Sequence, residues 1–367
     1  MTDPLKAQPH GWIILDKPVG LGSTQAVGAV KRNLREAGYG KVKVGHGGTL
    51  DPLAEGVLPI ALGEATKLTG RMLDASKVYE FTIQFGEETD TGDAEGAVIE
   101  RTDRRPPRAA IPAVLEHFTG EIEQVPPAYS AIKVNGRRAY DLARVGEAVE
   151  MAVRRVTVFS LREARHPELV CAGTATLPAS MPQSRTERWT LKQVQGDDLV
   201  DVERWELDST FATTAGRPDP YDPAMPLELS ESITLVAHVS KGTYIRSLAR
   251  DIARALGTLG HVTYLRRIKA GPFTEAQAIS LDRLNEIGKG ASLHDLLLPL
   301  EAGLDDIPAL QLTPDSAQAV RQGRVLSGMP HHDGLYLAKL ADTPVALMEV
   351  AGGNATVVRG FNIDVAE

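Results

Sequence analysis

Residues 45–59 read GHGGTLDPLAEGVLP and place one carboxylate, Asp51, in a loop rich in glycine and proline. Glycines such as Gly48 and Gly56 let a ligand approach the backbone closely, and Pro52 biases Asp51 towards an extended conformation. An isolated Asp-Pro pair is more often a turn or a helix cap. In this stiff loop, a rigidly presented carboxylate is better suited to act as a nucleophile or a general base.

His46 lies in the same loop and leaves two interpretations open. A histidine at this spacing could contact a phosphate of a substrate, or it could be a structural residue that orients the loop. The sequence around it does not choose between them.

Composition limits the classes of protein that the chain can represent. Its 367 residues suffice for about two or three domains. No apolar run has membrane-spanning length and the opening MTDPLKAQPHGW lacks the core of a signal peptide, so we expect a cytoplasmic protein without membrane contact. Cys171 is the only cysteine, and neither HExxH nor CxxC occurs, so we expect no metal.

The formal net charge of −8 hides a segregation of sign along the chain. Basic residues concentrate in the runs 31–43, 133–155 and 241–269, and acidic residues concentrate in 86–96 and 197–208. Each basic run alone is typical of a solvated helix face. Three such runs beside a glycine-rich loop favour a surface for nucleic acid.

The hydrophobic pattern predicts a mixed arrangement of strands and helices. Residues 12–15 form a strand, followed by a helix with Ser23 or Thr24 as its N-cap. The stretch 77–86 alternates as a half-buried strand, and we expect 97–101 to be its neighbour. After a strand at 233–239, the next helix buries one face and leaves another, with basic residues four apart, free to meet phosphate: Arg246, Arg250 and Arg254.

Two regions depart from this pattern. Residues 165–226 have weak periodicity, which indicates an insertion. Its first part, 165–199, is either a passive surface loop or an arm that clasps tRNA. From residue 301 onward, short segments broken by glycine and proline predict a small β-domain.

Six stretches resemble the bacterial tRNA pseudouridine-55 synthases of the TruB type, in order and with about the same spacing. They are LDKPVGLGST (15–24), GHGGTLDPLAEGVL (45–58), KVYEF (77–81), PPAYSAIKVNGRRAYDLAR (126–144), SKGTYIRSLARDI (240–252) and GHVTYLRRIKAGPF (260–273). The resemblance covers about residues 10–160 and 230–300. One departure is Gly47, where the family usually has threonine.

The resemblance implies roles for individual residues. Asp51 corresponds to the aspartate on which the family's catalysis depends, and Arg246 to the arginine that pairs with it. Tyr79 corresponds to the tyrosine that stacks on the target base, and Tyr244 to the tyrosine beneath that base. Without the family, we would interpret both tyrosines as core or cross-strand aromatics.

The remaining predicted site residues support the pocket. Leu265 corresponds to a leucine that lines the base pocket, and His46 to a histidine that helps hold the substrate loop. Lys17 and Pro18 resemble a structural motif behind the site, and Gly48 permits close approach in the loop.

The resemblance also implies the fold and the reaction. We expect an α/β mixed (α+β) pseudouridine-synthase fold over residues 10–300, with a central antiparallel or mixed sheet and a catalytic cleft, and a small PUA-like RNA-binding β-domain over 301–367. The reaction is isomerisation of the T-loop uridine at position 55 of tRNA, after base flipping, without a cofactor. The expected partner is the tRNA T-arm stem-loop, and the expected state is a monomer without a protein partner.

Several alternatives remain open at this stage. The chain could be an RNA-folding protein without turnover, or a pseudouridine synthase for another RNA. The carboxylate could attack the base or the sugar, or it could remove a proton around a glycal-like intermediate.

Overall fold

The computed structural model describes residues 6–130, 132–134, 136–144, 151–164 and 228–363. The predicted insertion at 165–226, including Cys171, lies outside these residues. Within them, no helix is long and apolar enough to cross a membrane.

The described strands and helices have the following bounds in chain order. The strands are β1 (Gly11–Lys17), β2 (Val44–His46), β3 (Glu55–Leu62), β4 (Lys77–Phe85), β5 (Glu87–Thr89), β6 (Val98–Arg101), β7 (Gly120–Gln124), β8 (Lys133–Val134), β9 (Arg137–Arg138), β10 (Arg154–Glu163), β11 (Ser232–Val239), β12 (Gly260–Ala270), β13 (Phe273–Thr274), β14 (Ala309–Gln311), β15 (Leu326–Ser327), β16 (Gly334–Leu340), β17 (Thr343–Ala351) and β18 (Asn354–Gly360). The α-helices are α1 (Ser23–Glu36), α2 (Thr69–Asp74), α3 (Ile111–His117), α4 (Ala139–Arg144), α5 (Ile245–Ala255), α6 (Leu281–Gly288) and α7 (Pro314–Arg321).

A mixed sheet forms the centre of the molecule, in the order β1-β3-β12-β4-β11-β10-β7, with β2 beside β3 and β13 beside β12. Neighbouring strands in this sheet are antiparallel, except that β3 and β12 run parallel to each other. The mixed α/β fold expected from the sequence is therefore confirmed. Because β3 and β12 lie side by side, the loop before β3 and the residues of β12 meet at one place.

Strand β4 shows why the alternating pattern was informative. Phe81, Ile83 and Phe85 are buried on one face, where they pack with Leu248 and Ile252 of α5 in the same hydrophobic cluster. Fully burying a side chain of this kind contributes about 1.5–3 kcal/mol. This cluster fixes α5 against the centre of the sheet.

The predicted neighbour of β4 was wrong. Residues 97–101 contribute β6, which pairs with β5 in a separate two-stranded sheet. The neighbours of β4 are β11 and β12, far away in sequence. Strand-like patterning is local, whereas pairing depends on which distant strands share the core.

The start of α1 also differs from the prediction. The N-cap is Gly22, and Gln25 accepts a hydrogen bond from the Gly22 backbone N–H at 2.7 Å. Ser23 is the first helical residue, and its hydroxyl is used elsewhere: it exchanges hydrogen bonds of 2.8 Å with the backbone of Leu50. The start of α1 is therefore tied to the loop that carries Asp51.

The C-terminal residues form a second sheet, in the order β14-β16-β17-β18-β15, which confirms the predicted β-domain. A shared cluster joins it to the central sheet, with Trp12 and Phe273 packed against Leu337, Leu347 and Phe361. This apolar contact holds the second sheet against the first.

Candidate active site

A cavity of about 290 Å³ opens where the loop before β3, strands β4 and β12, and the start of α5 converge. Six of the residues predicted from the sequence line it together: Gly48, Asp51, Tyr79, Tyr244, Arg246 and Leu265. These residues come from separate stretches of the chain, and the order of the strands in the sheet brings them together. The cavity is therefore the candidate active site.

The loop that carries Asp51 is held through its backbone at successive residues. The N–H of Gly47 donates to the carbonyl of Pro59 at 2.8 Å, and the N–H of Gly20 donates to the carbonyl of Pro52 at the same distance. The Asp51 carbonyl accepts from the N–H of Ala54 at 3.1 Å. With both ends and the middle fixed, the Asp51 carboxylate is presented from a preorganised loop.

Arg267 of β12 holds the same loop from below. It is 1% exposed and donates to the carbonyls of Val57 at 2.7 Å, Thr49 at 3.2 Å and Gly48 at 3.4 Å. Gly48 has a φ of +134°, a conformation that favours glycine. Within the described residues, Arg267 pairs with no carboxylate, so its fork of donors serves the loop backbone.

Arg246 connects Asp51 with a second carboxylate. Its guanidinium is 2.8 Å from Oδ2 of Asp51 and 3.3 Å from Oδ2 of Asp93, and its donors also reach the carbonyls of Thr91 and Tyr129 at 2.8 and 3.0 Å. Arg246 and Asp93 are buried, whereas the Asp51 side chain is 40% exposed to the cavity. The arginine thus fixes the direction of the one carboxylate that a substrate can reach.

Two tyrosines flank this pair. Tyr79 lies on β4 at the edge of the cluster beneath α5, and Tyr244 is the N-cap of α5. The buried amide of Gln124 holds Tyr244 by a pair of hydrogen bonds, donating to its carbonyl at 3.0 Å and accepting from its N–H at 2.8 Å. Burial raises the pKa of the Tyr244 phenol, and the negative charge of Asp51 adds to that rise. Tyr244 is therefore a neutral aromatic surface.

Three of the predicted residues lie behind the cavity and do not line it. Lys17 is buried and donates to the carbonyls of Pro18, Leu21 and Pro52 at 2.9, 2.7 and 3.3 Å, so it braces the loop next to Asp51. Pro18 itself is exposed, and its carbonyl serves that brace. His46 lies on β2, where burial and the charge of Arg267 lower its pKa. The ring atom Nδ1 of His46 is buried and makes no hydrogen bond within the described part of the chain.

Lys77 lines the cavity and was missed by sequence reasoning. Its ammonium caps the C-terminal end of α2 by donating to the carbonyls of Met72, Leu73 and Ala75 at 2.9, 2.8 and 2.6 Å. Its Cε would lie 3.9 Å from a Cβ built on Gly48, so its stem also borders the loop. Lys77 therefore fastens α2 beside the loop that carries Asp51.

The two buried lysines predict a dependence on pH. Burial lowers the pKa of Lys17 and of Lys77 to about 8. As pH rises through 8, each loses a proton and one of its donors, so we expect kcat to fall between about pH 7.5 and 9. The unfolded chain keeps those protons up to its ordinary pKa of about 10.4, so it binds more protons over this window, and the free energy of unfolding should rise with pH.

Opposite trends in rate and stability distinguish this mechanism from general alkaline unfolding. The check is a single-turnover pH profile beside urea unfolding at the same pH values. A Lys77→Arg variant, which keeps its charge, should retain more of its rate at about pH 9 than the unmodified protein does. A parallel loss of rate and stability would contradict the assignment.

Gly47, the departure from the TruB-type pattern, is explained by Met72. A Cβ at Gly47 would lie 2.7 Å from the Cβ of Met72 and 3.1 Å from its Cγ. The Cβ of Met72 belongs to α2, which cannot move without disturbing the Lys77 cap. A side chain at position 47 is therefore excluded by packing.

We predict that Gly47→Ala lowers the free energy of unfolding by about 1–3 kcal/mol, the usual cost of overpacking. Gly45→Ala is the matched control, because its Cβ would meet only Thr69 at an ordinary 3.9 Å. Urea unfolding of both variants checks the difference. Equal stabilities would show that α2 yields to the new methyl group.

The structure corrects the predicted charge distribution around α5. Arg246 is buried in the site and is not free to meet phosphate. Arg250 pairs with Asp251 at 2.9 Å, and Arg254 pairs with Glu88 at 2.7 Å. The acidic stretch 86–96 thus lies against this helix and supplies both Glu88 and Asp93.

Sequence reasoning therefore missed four residues of the site: Asp93, Lys77, Arg267 and Gln124. Lys77 lies in KVYEF and Arg267 lies in GHVTYLRRIKAGPF. A lysine or arginine within an otherwise buried strand was the signal that could have indicated them. Asp93 and Gln124 gave none, because their partners are far away in sequence. Within the described residues, no group of three potential metal-ligating side chains forms a metal site.

The fold and the cavity together define an α/β enzyme that presents one arginine-paired carboxylate between two tyrosines. Family models agree with this class: residues 34–172 match the TruB family pseudouridylate synthase N-terminal domain, and residues 246–305 match the tRNA pseudouridylate synthase B C-terminal domain. The chain is 58% identical over 358 residues to a tRNA pseudouridine synthase B of Novosphingobium aromaticivorans, covering 97% of this chain and 99% of that one. It is 49% identical to the tRNA pseudouridine synthase B of Zymomonas mobilis, covering 96% of each chain. The chain belongs to the TruB family of pseudouridylate synthases.

Solved structures show the same fold at lower identity. One, described as an H/ACA RNP bound to a substrate RNA containing 2′-deoxyuridine, has a TM-score of 0.59 at 22% identity and covers 96% of this chain and 85% of that one. A Cbf5-Nop10-Gar1 complex gives 0.59 at 23% identity, covering 95% of this chain and 84% of that one.

Proposed function

We propose that the chain isomerises the T-loop uridine at position 55 of tRNA to pseudouridine. The observation that carries this proposal is the Asp51–Arg246 pair, which lines a cavity together with Tyr79 and Tyr244. Relatives named tRNA pseudouridine synthase B share 58% and 49% identity, against 22% for the H/ACA RNP chain and 23% for the chain of the Cbf5-Nop10-Gar1 complex. That difference favours tRNA over another RNA.

The reaction breaks the N1–C1′ bond of uridine and forms a C5–C1′ bond. The proton on C5 leaves and N1 gains one, so no electrons are exchanged. Asp51 is the group placed to act, either by attacking the base or the sugar, or by removing a proton around a glycal-like intermediate. Arg246 holds its carboxylate in position, and Arg267 and Lys17 hold its loop.

The base must leave its stack to reach this cavity, at a cost of about a few kcal/mol. Stacking on an aromatic side chain recovers about 1–3 kcal/mol per base. Tyr79 and Tyr244 are the two aromatic side chains of the pocket, with Leu265 closing its apolar side. We assign Gly48 to the substrate side of the loop, and we assign His46 and Pro18, which lie behind the cavity, to its support.

We further propose that residues 10–300 form the catalytic domain and residues 301–367 a PUA-like domain that assists RNA binding. The second sheet, from β14 to β18, supports the division. The proposed tRNA substrate supports a cytoplasmic location.

The test uses an unmodified tRNA transcript and the purified protein, with pseudouridine mapped by carbodiimide labelling and primer extension. We expect modification at position 55 alone. A transcript with cytidine at 55 is the control and should remain unmodified. Pseudouridine at another position, or none, would overturn the proposal.

A further inference from the structure

One exposed surface carries basic side chains that have no partners among the described residues. Lys31, Arg32 and Arg35 lie on the exposed face of α1, and Lys41 and Lys43 follow it before β2. We call these five residues the α1 basic surface. None of them makes an ion pair or a side-chain hydrogen bond in the described part of the chain. The nearest acid in sequence, Glu36, has its carboxylate against Gly288 of α6, where an added Cβ would lie 2.6 Å from Oε2.

The basic residues of α5, unlike those of the α1 basic surface, are paired with carboxylates. Arg250 and Arg254 are held by Asp251 and Glu88, so their charge is largely neutralised within the protein. Five cations close together, unpaired within the described ranges, create a local positive potential although the whole chain carries −8. Such a potential attracts a polyanion, whereas the paired arginines of α5 contribute little.

The rest of the exposed face of α1 leads from the catalytic loop to these cations. The helix starts at Ser23, which is bonded to Leu50 of the loop, and no acidic residue lies in its first turn. Gly28 is exposed in mid-helix, and a Cβ there would meet nothing within 4 Å. Glycine is a poor helix former at such a site, but it allows a backbone to approach closely.

The distances suit a single bound RNA. At about 1.5 Å per residue, Lys31 lies about 12 Å along the helix axis from Ser23. Lys43 precedes the strand β2, which leads directly into the catalytic loop. One element, α1 or β2, therefore connects each end of the surface to the loop that carries Asp51.

We propose that the α1 basic surface binds phosphates of the tRNA backbone outside the uridine pocket and supplies much of the salt-dependent affinity. The inference rests on the proposed tRNA substrate. Contacts of this kind position the RNA without reading its sequence. They act on binding and leave the chemistry of the bound uridine unchanged.

The main test compares two sets of charge removals in the full chain. Lys31→Gln, Arg32→Gln, Arg35→Gln, Lys41→Gln and Lys43→Gln are combined in one variant, and Arg250→Gln with Arg254→Gln form the control. Affinity for unmodified tRNA is measured against salt. We expect the slope of log affinity against log salt to decrease in magnitude by about 3 or more in the variant with five substitutions, and by less than about 1 in the control.

At about 150 mM salt, the variant with five substitutions should bind tRNA at least about tenfold more weakly than the parent protein. Its kcat at saturating tRNA should stay within about twofold of the parent value. An unchanged slope, or equal losses in both variants, would overturn the proposal. Binding is measured without turnover, so failure of the proposed reaction would appear separately, as absence of pseudouridine made by the parent protein.

A second measurement uses the unaltered protein and so cannot fail through misfolding. Lys31, Lys41 and Lys43 are acetylated with and without tRNA, and the modified peptides are quantified. We expect tRNA to slow their acetylation at least about fivefold at low salt, and the protection to vanish at about 1 M salt. Equal acetylation with and without tRNA would contradict the assignment.

Discussion

We expect Asp51→Asn to abolish pseudouridine formation while leaving tRNA affinity within about tenfold, a difference of about 1.4 kcal/mol. The amide keeps the shape of the side chain and an oxygen for Arg246, 2.8 Å away, but it loses the charge and the nucleophile. Single-turnover assays with excess enzyme measure the first effect, and filter binding measures the second.

The matched control is Asp74→Asn, an exposed aspartate near the cavity whose partner is Lys241 at 2.8 Å. Since Asp74 contacts no pocket residue through its carboxylate among the described residues, its removal should change kcat by less than about threefold. Measurable pseudouridine made by Asp51→Asn would remove Asp51 from its proposed role.

The second large effect concerns Arg246. Arg246→Met leaves the buried carboxylate of Asp93 without its cation, and breaking a buried pair in this way costs about 3–5 kcal/mol of unfolding free energy. Because Asp51 also loses its anchor, kcat should fall by about 100-fold or more. Urea unfolding and single-turnover kinetics measure the two losses.

A double variant separates stability from catalysis. Adding Asp93→Asn to Arg246→Met removes the uncompensated charge, so we expect most of the lost stability to return while kcat stays low. The amide oxygen introduced at position 93 can still accept from Thr91, whose hydroxyl is 2.6 Å from Oδ1 of Asp93 in the structure. Recovery of kcat along with stability would show that Arg246 acts only through folding.

Much of the fold could be predicted because its signals are local. The alternation in 77–86 predicted β4, the helical period after Tyr244 predicted α5, and the short segments after 301 predicted the second sheet. Each signal is read within one element, where side-chain period and backbone geometry are directly linked. The order of six motifs likewise identified the family before any contact was known.

The partners of these elements could not be predicted in the same way. The residues 97–101 look like a neighbour of β4, yet β4 pairs with β11 and β12, which begin more than a hundred residues later. Hydrophobic alternation says which face of a strand is buried, but it does not say which strand lies beside it.

For the site, the sequence by itself determined the loop around Asp51, the two tyrosines and the aspartate–arginine pair implied by the resemblance. Only the tertiary structure decided that Asp93 joins Arg246, that Arg267 holds the loop, that Lys77 fastens α2 beside it, and which basic runs are neutralised. The arginine and Asp51 are 195 residues apart in the chain, and Glu88 and Arg254 are 166 apart. An ion pair depends on the distance between two side chains in space, and that distance is set by the order of strands in the sheet, which no local pattern records.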